Sequence, residues 1–293
     1  MSKLKNKDLF GILVVISSAI IFALYPSATK GVYAGAGNAF FVILFTTFWR
    51  ALSLAGFCVL RGRKLYTDKQ SIKSSLTNGI FQTASIVGIL GGMVYLPGSI
   101  VIVIMFSHTL MIYCFLVFKK EEKANIRTII SVIVALIGLS FVLNIYSNFQ
   151  GIHLGGLALA FMAAIATALR LYAYGNLVKD RNPAVIGAET FIVVMIISCF
   201  GFLFYTPIAP TTQEGWIWAG IAAASLSIGN FGMFYGIRLI GAFKLSFFAK
   251  IEPVFATLFS AVLIHEFLEP SQYLGMALII GSLLSYQFFK SGK

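Results

Sequence analysis

The sequence predicts an all-α integral membrane protein, with ten transmembrane helices arranged as two inverted five-helix repeats. Three observations predict this class. The first is composition: 59% of the 293 residues are hydrophobic, only 11% are charged, and mean hydropathy is +0.91. A soluble domain is about 45–50% apolar and about 25% charged. The second is that apolar runs long enough to cross lipid, at about 20 residues each, recur from one end of the chain to the other. The third is that the two halves match at a nearly constant offset.

In lipid every backbone polar group needs an internal partner, so each apolar run is expected to be a helix. The first run, 9–30, follows Lys3, Lys5 and Lys7. It exceeds the roughly 7–15 apolar residues of a secretory signal. Although "AGA" at 34–36 resembles a cleavage site, the run reads as a retained span. Runs 39–60 and 74–95 are separated by Arg61, Arg63, Lys64, Lys69 and Lys73. Runs 98–118 and 127–146 are separated by Lys119, Lys120 and Lys123, with Arg127 at the second boundary. Runs 154–176 and 184–206 flank Lys179 and Arg181, runs 215–237 and 242–264 flank Arg238, and Lys290 and Lys293 follow the last run, 271–289. If each run crosses once, all these cations fall on one side, and the opposite loops hold no Lys or Arg. Cytoplasmic loops collect Lys and Arg, so both termini are expected to be cytoplasmic, in a multi-pass inner or plasma membrane protein. The net charge of +12 is then a topological signal and not a nucleic-acid footprint.

Shifting the chain by 145 residues places Gly11, Ala19, Ile20, Ala23 and Leu24 on Gly156, Ala164, Ile165, Ala168 and Leu169. It also places Gly91 on Gly236 and Glu121 on Glu266, and "IGL" at 137–139 resembles "IGS" at 280–282. The offset corresponds to five spans, an odd number, so the second half enters the membrane in the opposite sense. Inverted repeats of this kind are a transporter architecture, with substrate sites near the midplane at interrupted helices. Pro26 interrupts the first run and Pro253 the ninth.

The segment "YGIRLIGAFKLSFFAKIEPVFATLFSAVLIHEFLEPSQYLGMALIIGSLL" resembles the second EamA-type repeat of the drug/metabolite transporter superfamily, with Glu252-Pro253 and then Glu266 as its marks. The first half shows the pattern more weakly in "VYLPGSIVIVIMFSHTLMIYCFLVFKKEE", where Ser107-His108 replaces Glu-Pro. The resemblance implies a ten-helix secondary transporter, usually an exporter of amino acids or other small metabolites. It also implies a central cavity lined mainly by spans 1, 3, 4, 6, 8 and 9, and repeats covering 1–148 and 149–293. The family commonly carries an Arg in span 2, here Arg50, and often a Lys where Lys30 stands; at Lys250 it more often has small or apolar residues.

Ionisable residues inside spans are costly and mark sites or braces. Arg170 shares a helix face with Tyr174, and Tyr25 is the repeat mate of Arg170. An Arg fork beside a Tyr suits a carboxylate. His108, mid-span, titrates near neutrality and could carry a coupling proton. Arg50 and Glu189 read as coupling or structural groups, Glu189 being a partner for an Arg. Lys250 and Glu252 point about 200° apart on a helix and cannot pair along one face. The polar stripe of Ser246, Pro253 and Thr257 aims Lys250 at the cavity and leaves Glu252 to brace the kink. Gly88, Gly91, Gly92, Gly229 and Gly232 read as close-packing positions.

No cofactor or metal is expected: "HEFLE" at 265–269 lacks the second His of a zinc motif, and Cys58, Cys114 and Cys199 are isolated. GxSxG and Walker motifs are absent, so an enzyme or primary pump is disfavoured. The first functional reading is an amino-acid or related metabolite exporter. The alternative is a carrier or exchanger for an organic anion, phosphate ester or nucleoside-derived metabolite, and a non-transport receptor or assembly subunit is a third class. Proton coupling and a homodimer are the remaining partner expectations.

Overall fold

The structure, a computed structural model, describes residues 2–147, 153–265 and 267–291. Among these no strand occurs, as expected of backbone groups that must satisfy one another in lipid. The helices are α1 (Ser2–Phe22), α2 (Leu24–Ala34), α3 (Ala39–Leu60), α4 (Lys69–Tyr95), α5 (Gly98–Phe106) and α6 (His108–Phe118). They continue with α7 (Ile126–Val142), α8 (Leu154–Asp180), α9 (Pro183–Cys199), α10 (Gln213–Phe248), α11 (Glu252–Leu263) and α12 (Pro270–Ser291). Six helical stretches are long and apolar enough to cross a membrane: Asp8–Ala34, Ala39–Leu60, Gly98–Phe118, Leu154–Asp180, Pro183–Leu203 and Gln213–Leu263. Ile126–Val142 is apolar but shorter. The chain is therefore a multi-pass helical membrane protein. The run expected over 127–146 stops earlier because Asn144 adopts φ 47, a left-handed conformation that ends helices.

Several expected spans are divided. Pro26 has no N–H to offer the carbonyl of Phe22, and α1 parts from α2 at Ala23. α5 parts from α6 at Ser107, where the Leu110 N–H donates to the Ser107 carbonyl (2.9 Å) in a tightened turn. α10 parts from α11 at a 3-10 turn, Ala249–Ile251, just ahead of Pro253. Between the runs at 215–237 and 242–264 the helix continues past Arg238 and breaks at a single residue, Gly241, with φ 80 and ψ 167. That backbone region is essentially reserved for glycine.

The two halves show matching local features. Asn38 and Asn182 cap α3 and α9, accepting from Phe41 N (2.9 Å) and Ala184 N (3.0 Å). Asp68 and Thr212 cap α4 and α10, accepting from Ser71 N (2.6 Å) and Gly215 N (3.1 Å). Such caps contribute about 1 kcal/mol each. Lys120 and His265, repeat mates after α6 and α11, both have positive φ (59 and 56). The matched pair Glu121 and Glu266 cannot be compared, because Glu266 lies outside the described residues.

Packing runs between halves. α1 lies on α10 and α4 on α8, while α3 meets α9 and α7 meets α12. Exchanging the halves maps the first pair onto the second and the last two onto themselves. Glycines permit the approach: a Cβ at Gly88 would meet the Leu159 carbonyl oxygen at 2.6 Å and Ala163 at 2.9 Å. Gly232, which matches Gly88 at an offset of 144, lies against Ser18, which matches Ala163 at an offset of 145. Gly229 lies against Phe22, Gly91 against Leu159, and Gly92 against Val101.

Candidate functional site

The ionisable residues of the interior gather where the helices break. Lys250, in the turn between α10 and α11, is 1% exposed. Its Nζ donates to the Phe106 carbonyl at the end of α5 (3.0 Å) and lies 5.1 Å from the Phe106 ring centroid. It ties one interrupted span to its repeat counterpart. That is a brace, the role the sequence had suggested for Glu252. His108 opens α6, 6% exposed, with Nδ1 2.8 Å from the Met105 carbonyl. Nδ1 therefore carries the hydrogen. Its charged neighbours are Lys250 and Arg170.

Arg170 lies on α8; its buried Nε has no hydrogen-bond partner among the described residues, and its guanidinium carbon lies 5.9 Å from the Tyr174 ring centroid. Tyr174 is fully buried, stacks on Phe234 (5.0 Å between centroids) and donates to the Ile186 carbonyl (3.4 Å). Arg50, on α3, is better supplied. Its Nε donates to the Thr46 carbonyl (3.3 Å), a terminal nitrogen donates to Thr47 Oγ1 (3.1 Å), and Phe191 lies 4.6 Å beneath it. Arg170 and Tyr25 of α2 are both within electrostatic reach of Arg50. The structure thus links Tyr25, Arg50, Arg170, His108 and Lys250 into one positive chain of neighbours. Two outer recesses, about 540 Å³ between α7 and α12 and about 600 Å³ around the 93–99 turn, are lined by none of them.

Glu189, fully buried on α9, does pair with an arginine, but with Arg181 from the turn ahead of α9. One Arg181 nitrogen donates to both carboxylate oxygens (2.8 and 2.7 Å), and Tyr66 N–H donates to Oε1 (2.7 Å). Tyr66 OH donates to the Glu189 carbonyl (2.9 Å), and Arg63 donates to Asn182 Oδ1 (2.8 Å). Burial, and then the Glu189 charge, push the Tyr66 phenol up to about 12. This cluster ties the α3–α4 loop to the second half, and Tyr174 lies within electrostatic reach of both Glu189 and Arg170.

Glu252 begins α11 with Pro253 behind it. Its side chain is partly exposed and, among the described residues, makes no hydrogen bond or ion pair. An ionised side chain at the membrane centre costs about 2.5–3.5 kcal/mol on insertion scales. The first turn of α11 returns about 0.3–1 kcal/mol to a carboxylate, and up to about 2 kcal/mol where the site is partly buried. Pro26 is exposed beside its helix break.

The model of a protein family described as "EamA-like transporter family" matches residues 9–144 and again 154–286. The chain belongs to this family. Family membership makes it a membrane transporter of small substrates and agrees with the resemblance carried by Glu252-Pro253. No curated protein matches it by sequence. A solved chain described only as "Crystal structure of protein" is 16% identical, with a TM-score of 0.82 over 95% of this chain and 98% of that one. At that identity the likeness concerns the fold alone. Within the EamA-like frame, sequence reasoning missed Arg181, Tyr66 and the Phe106 carbonyl. Arg181 had been read only as a loop charge, and a backbone acceptor leaves no mark in composition.

Proposed function

We propose that the protein is a secondary active transporter that exports amino acids or related small metabolites across the cytoplasmic membrane, with the substrate carboxylate held by Arg170. The observation that carries this is the buried Nε of Arg170, which has no hydrogen-bond acceptor among the described residues. An unsatisfied buried charged donor costs upwards of about 1–3 kcal/mol, and a bound oxyanion removes that cost. Tyr174, Tyr25 and His108 complete the proposed site, and ten crossings in repeats 1–148 and 149–293 form its frame, with both termini cytoplasmic. Family membership and the matched features of the two halves support this frame.

A second reading is favoured by the gathering of Arg50, Arg170 and Lys250 with no acid among them. Such a centre suits an organic anion or phosphate ester, with Lys250 as a further contact. Thermal unfolding of the purified protein with L-amino acids, dicarboxylates and sugar phosphates separates the two. A ligand that binds only the folded state raises the unfolding temperature by mass action. Arg170→Gln removes a charged hydrogen bond worth about 1.5–3 kcal/mol, or roughly 10- to 150-fold in affinity. Arg170→Lys is expected to recover part of it. Stabilisation by amino acids that survives Arg170→Gln overturns the assignment of the site.

A further inference from the structure

We propose that Glu252 is a proton-binding site, separate from the Arg170 anion site, and that its protonation sets which way the transporter opens. The inference adds a coupling site to the transporter reading and rests on that reading only for its role. It starts from an anomaly of placement. The interior acid Glu189 is enclosed by Arg181 and Tyr66, and the interior cation Lys250 has the Phe106 carbonyl. Glu252 sits near the middle of an apolar run, at a break between helices, and has neither. A carboxylate with no counter-charge is costly there, whereas a neutral carboxyl is not. The side chain is partly exposed.

Among the described residues, the elements packed on α11 and on the turn before it make no ion pair with Glu252. These are α1, α2, α7, α10 and α12. On α1, Asp8 is engaged by Lys244 of α10 (2.5 Å). On α2, Tyr25 stands by Arg50, and Lys30 and Tyr33 lie toward the far end. Arg127 is in the first turn of α7, and Tyr235 and Arg238 precede the Gly241 break in α10. Tyr273 opens α12, and Tyr286 stacks in the Phe243–Phe247 aromatic cluster. Lys250, on the adjoining turn, points to Phe106. Among the described residues, none of the ion pairs or hydrogen bonds of these groups reaches Glu252. His108, the other candidate proton carrier, has a hydrogen already committed to Met105 and two cations beside it. Glu252 also occupies the repeat position of Ser107, whose buried hydroxyl has no hydrogen-bond partner among the described residues, so at this position only the second half carries an acid.

The test uses the whole protein in nanodiscs and no substrate. Infrared difference spectra between wild type and Glu252→Gln are recorded across a pH series. A carboxyl C=O band present at neutral pH, lost on alkalinisation and absent from Glu252→Gln is expected. No such band at any pH, or one unchanged in Glu252→Gln, overturns the proposal. A band that responds to sodium against choline at constant pH makes the site a cation site and overturns it too. The second readout is labelling of single cysteines at Ala36 and Lys64, at opposite ends of α3, against pH. The labelling ratio is expected to change at least threefold with pH in wild type and in His108→Gln. It is expected to be flat in Glu252→Gln, with Glu252→Asp restoring the change. Loss of the pH response in His108→Gln with retention in Glu252→Gln reverses the assignment. Both readouts are taken without substrate, whereas the anion site is read by unfolding with added amino acids, so failure of the anion site and failure of the proton site are told apart.

Discussion

At the scale of single residues, the Arg181–Glu189 pair has two unequal ends. Glu189 is fully buried, whereas the Arg181 side chain is 22% exposed. Removing the arginine strands a buried carboxylate, and breaking a buried pair in that way costs about 3–5 kcal/mol. Removing the carboxylate leaves an arginine that can turn to water, so Glu189→Gln is expected to cost well under half as much as Arg181→Gln. Chemical unfolding of both variants in one detergent reads the difference, and equal losses contradict the asymmetry. Tyr66 adds a pH signature. Its phenol rises from 10.0 to about 12 on folding, so the folded state favours the protonated form. Its contribution is complete below pH 10 and is lost as pH climbs through about 12. Stability is expected to fall across that window in wild type and to fall less in Tyr66→Phe. The sequence disclosed that Glu189 needed an arginine, because a span acid rarely stands alone. It could not disclose which one, since the short turn before α9 and the positive φ of Tyr66 decide the reach. Likewise, opposite directions for Lys250 and Glu252 followed from helical spacing. Which of them met a neighbour depended on the Phe106 carbonyl at a break in another span.

At the scale of elements, the glycines that join α4 to α8 and α1 to α10 occupy equivalent places with unequal tolerance. A Cβ at Gly88 meets a backbone carbonyl at 2.6 Å, which cannot rotate away. At Gly232 the obstruction is the Ser18 hydroxyl, a side chain with other rotamers. Gly88→Ala is therefore expected to cost about 1–3 kcal/mol as overpacking, and Gly232→Ala less. Thermal unfolding of the two variants orders them, and a larger loss at Gly232 contradicts the geometry. The breaks themselves were readable where proline caused them. Pro26 and Pro253 announce lost hydrogen bonds. The break at Ser107 has no proline, and the Gly241 break stands in a glycine-rich, uniformly apolar stretch that periodicity cannot divide. A span count read from hydropathy therefore succeeds in outline, while helix boundaries are set by caps and single residues.

At the scale of the whole molecule, contacts at the two ends of the bundle are related by the repeat. Near one end Arg63 donates to Asn182, the cap of α9. Near the other, Ile208 N–H donates to Oδ1 of Asn38, the cap of α3 (3.1 Å). Asn182 and Asn38 are mates, as are Arg63 and Ile208. Tyr66 N–H meets Glu189 at the first end, and its mate Thr211 donates its N–H to the Gly35 carbonyl (2.9 Å) at the second. Equivalent contacts at opposite ends are what an inverted repeat requires, and the charges differ as topology demands: arginines secure one end, backbone groups the other. The proposed orientation puts the arginine end in the cytoplasm, where loop cations collect. Single cysteines in a background free of Cys58, Cys114 and Cys199 test this. Lys64 and Asp180 lie exposed at the arginine end, and Ala36 and Thr211 at the other. Cysteines at 36 and 211 are expected to react with an impermeant maleimide in intact cells, and those at 64 and 180 only after the membrane is opened. Labelling at 64 and 36 from the same side breaks the inverted arrangement. Labelling at 64 and 180 but not at 36 or 211 keeps it and turns the molecule over, which places the arginine-secured end outside.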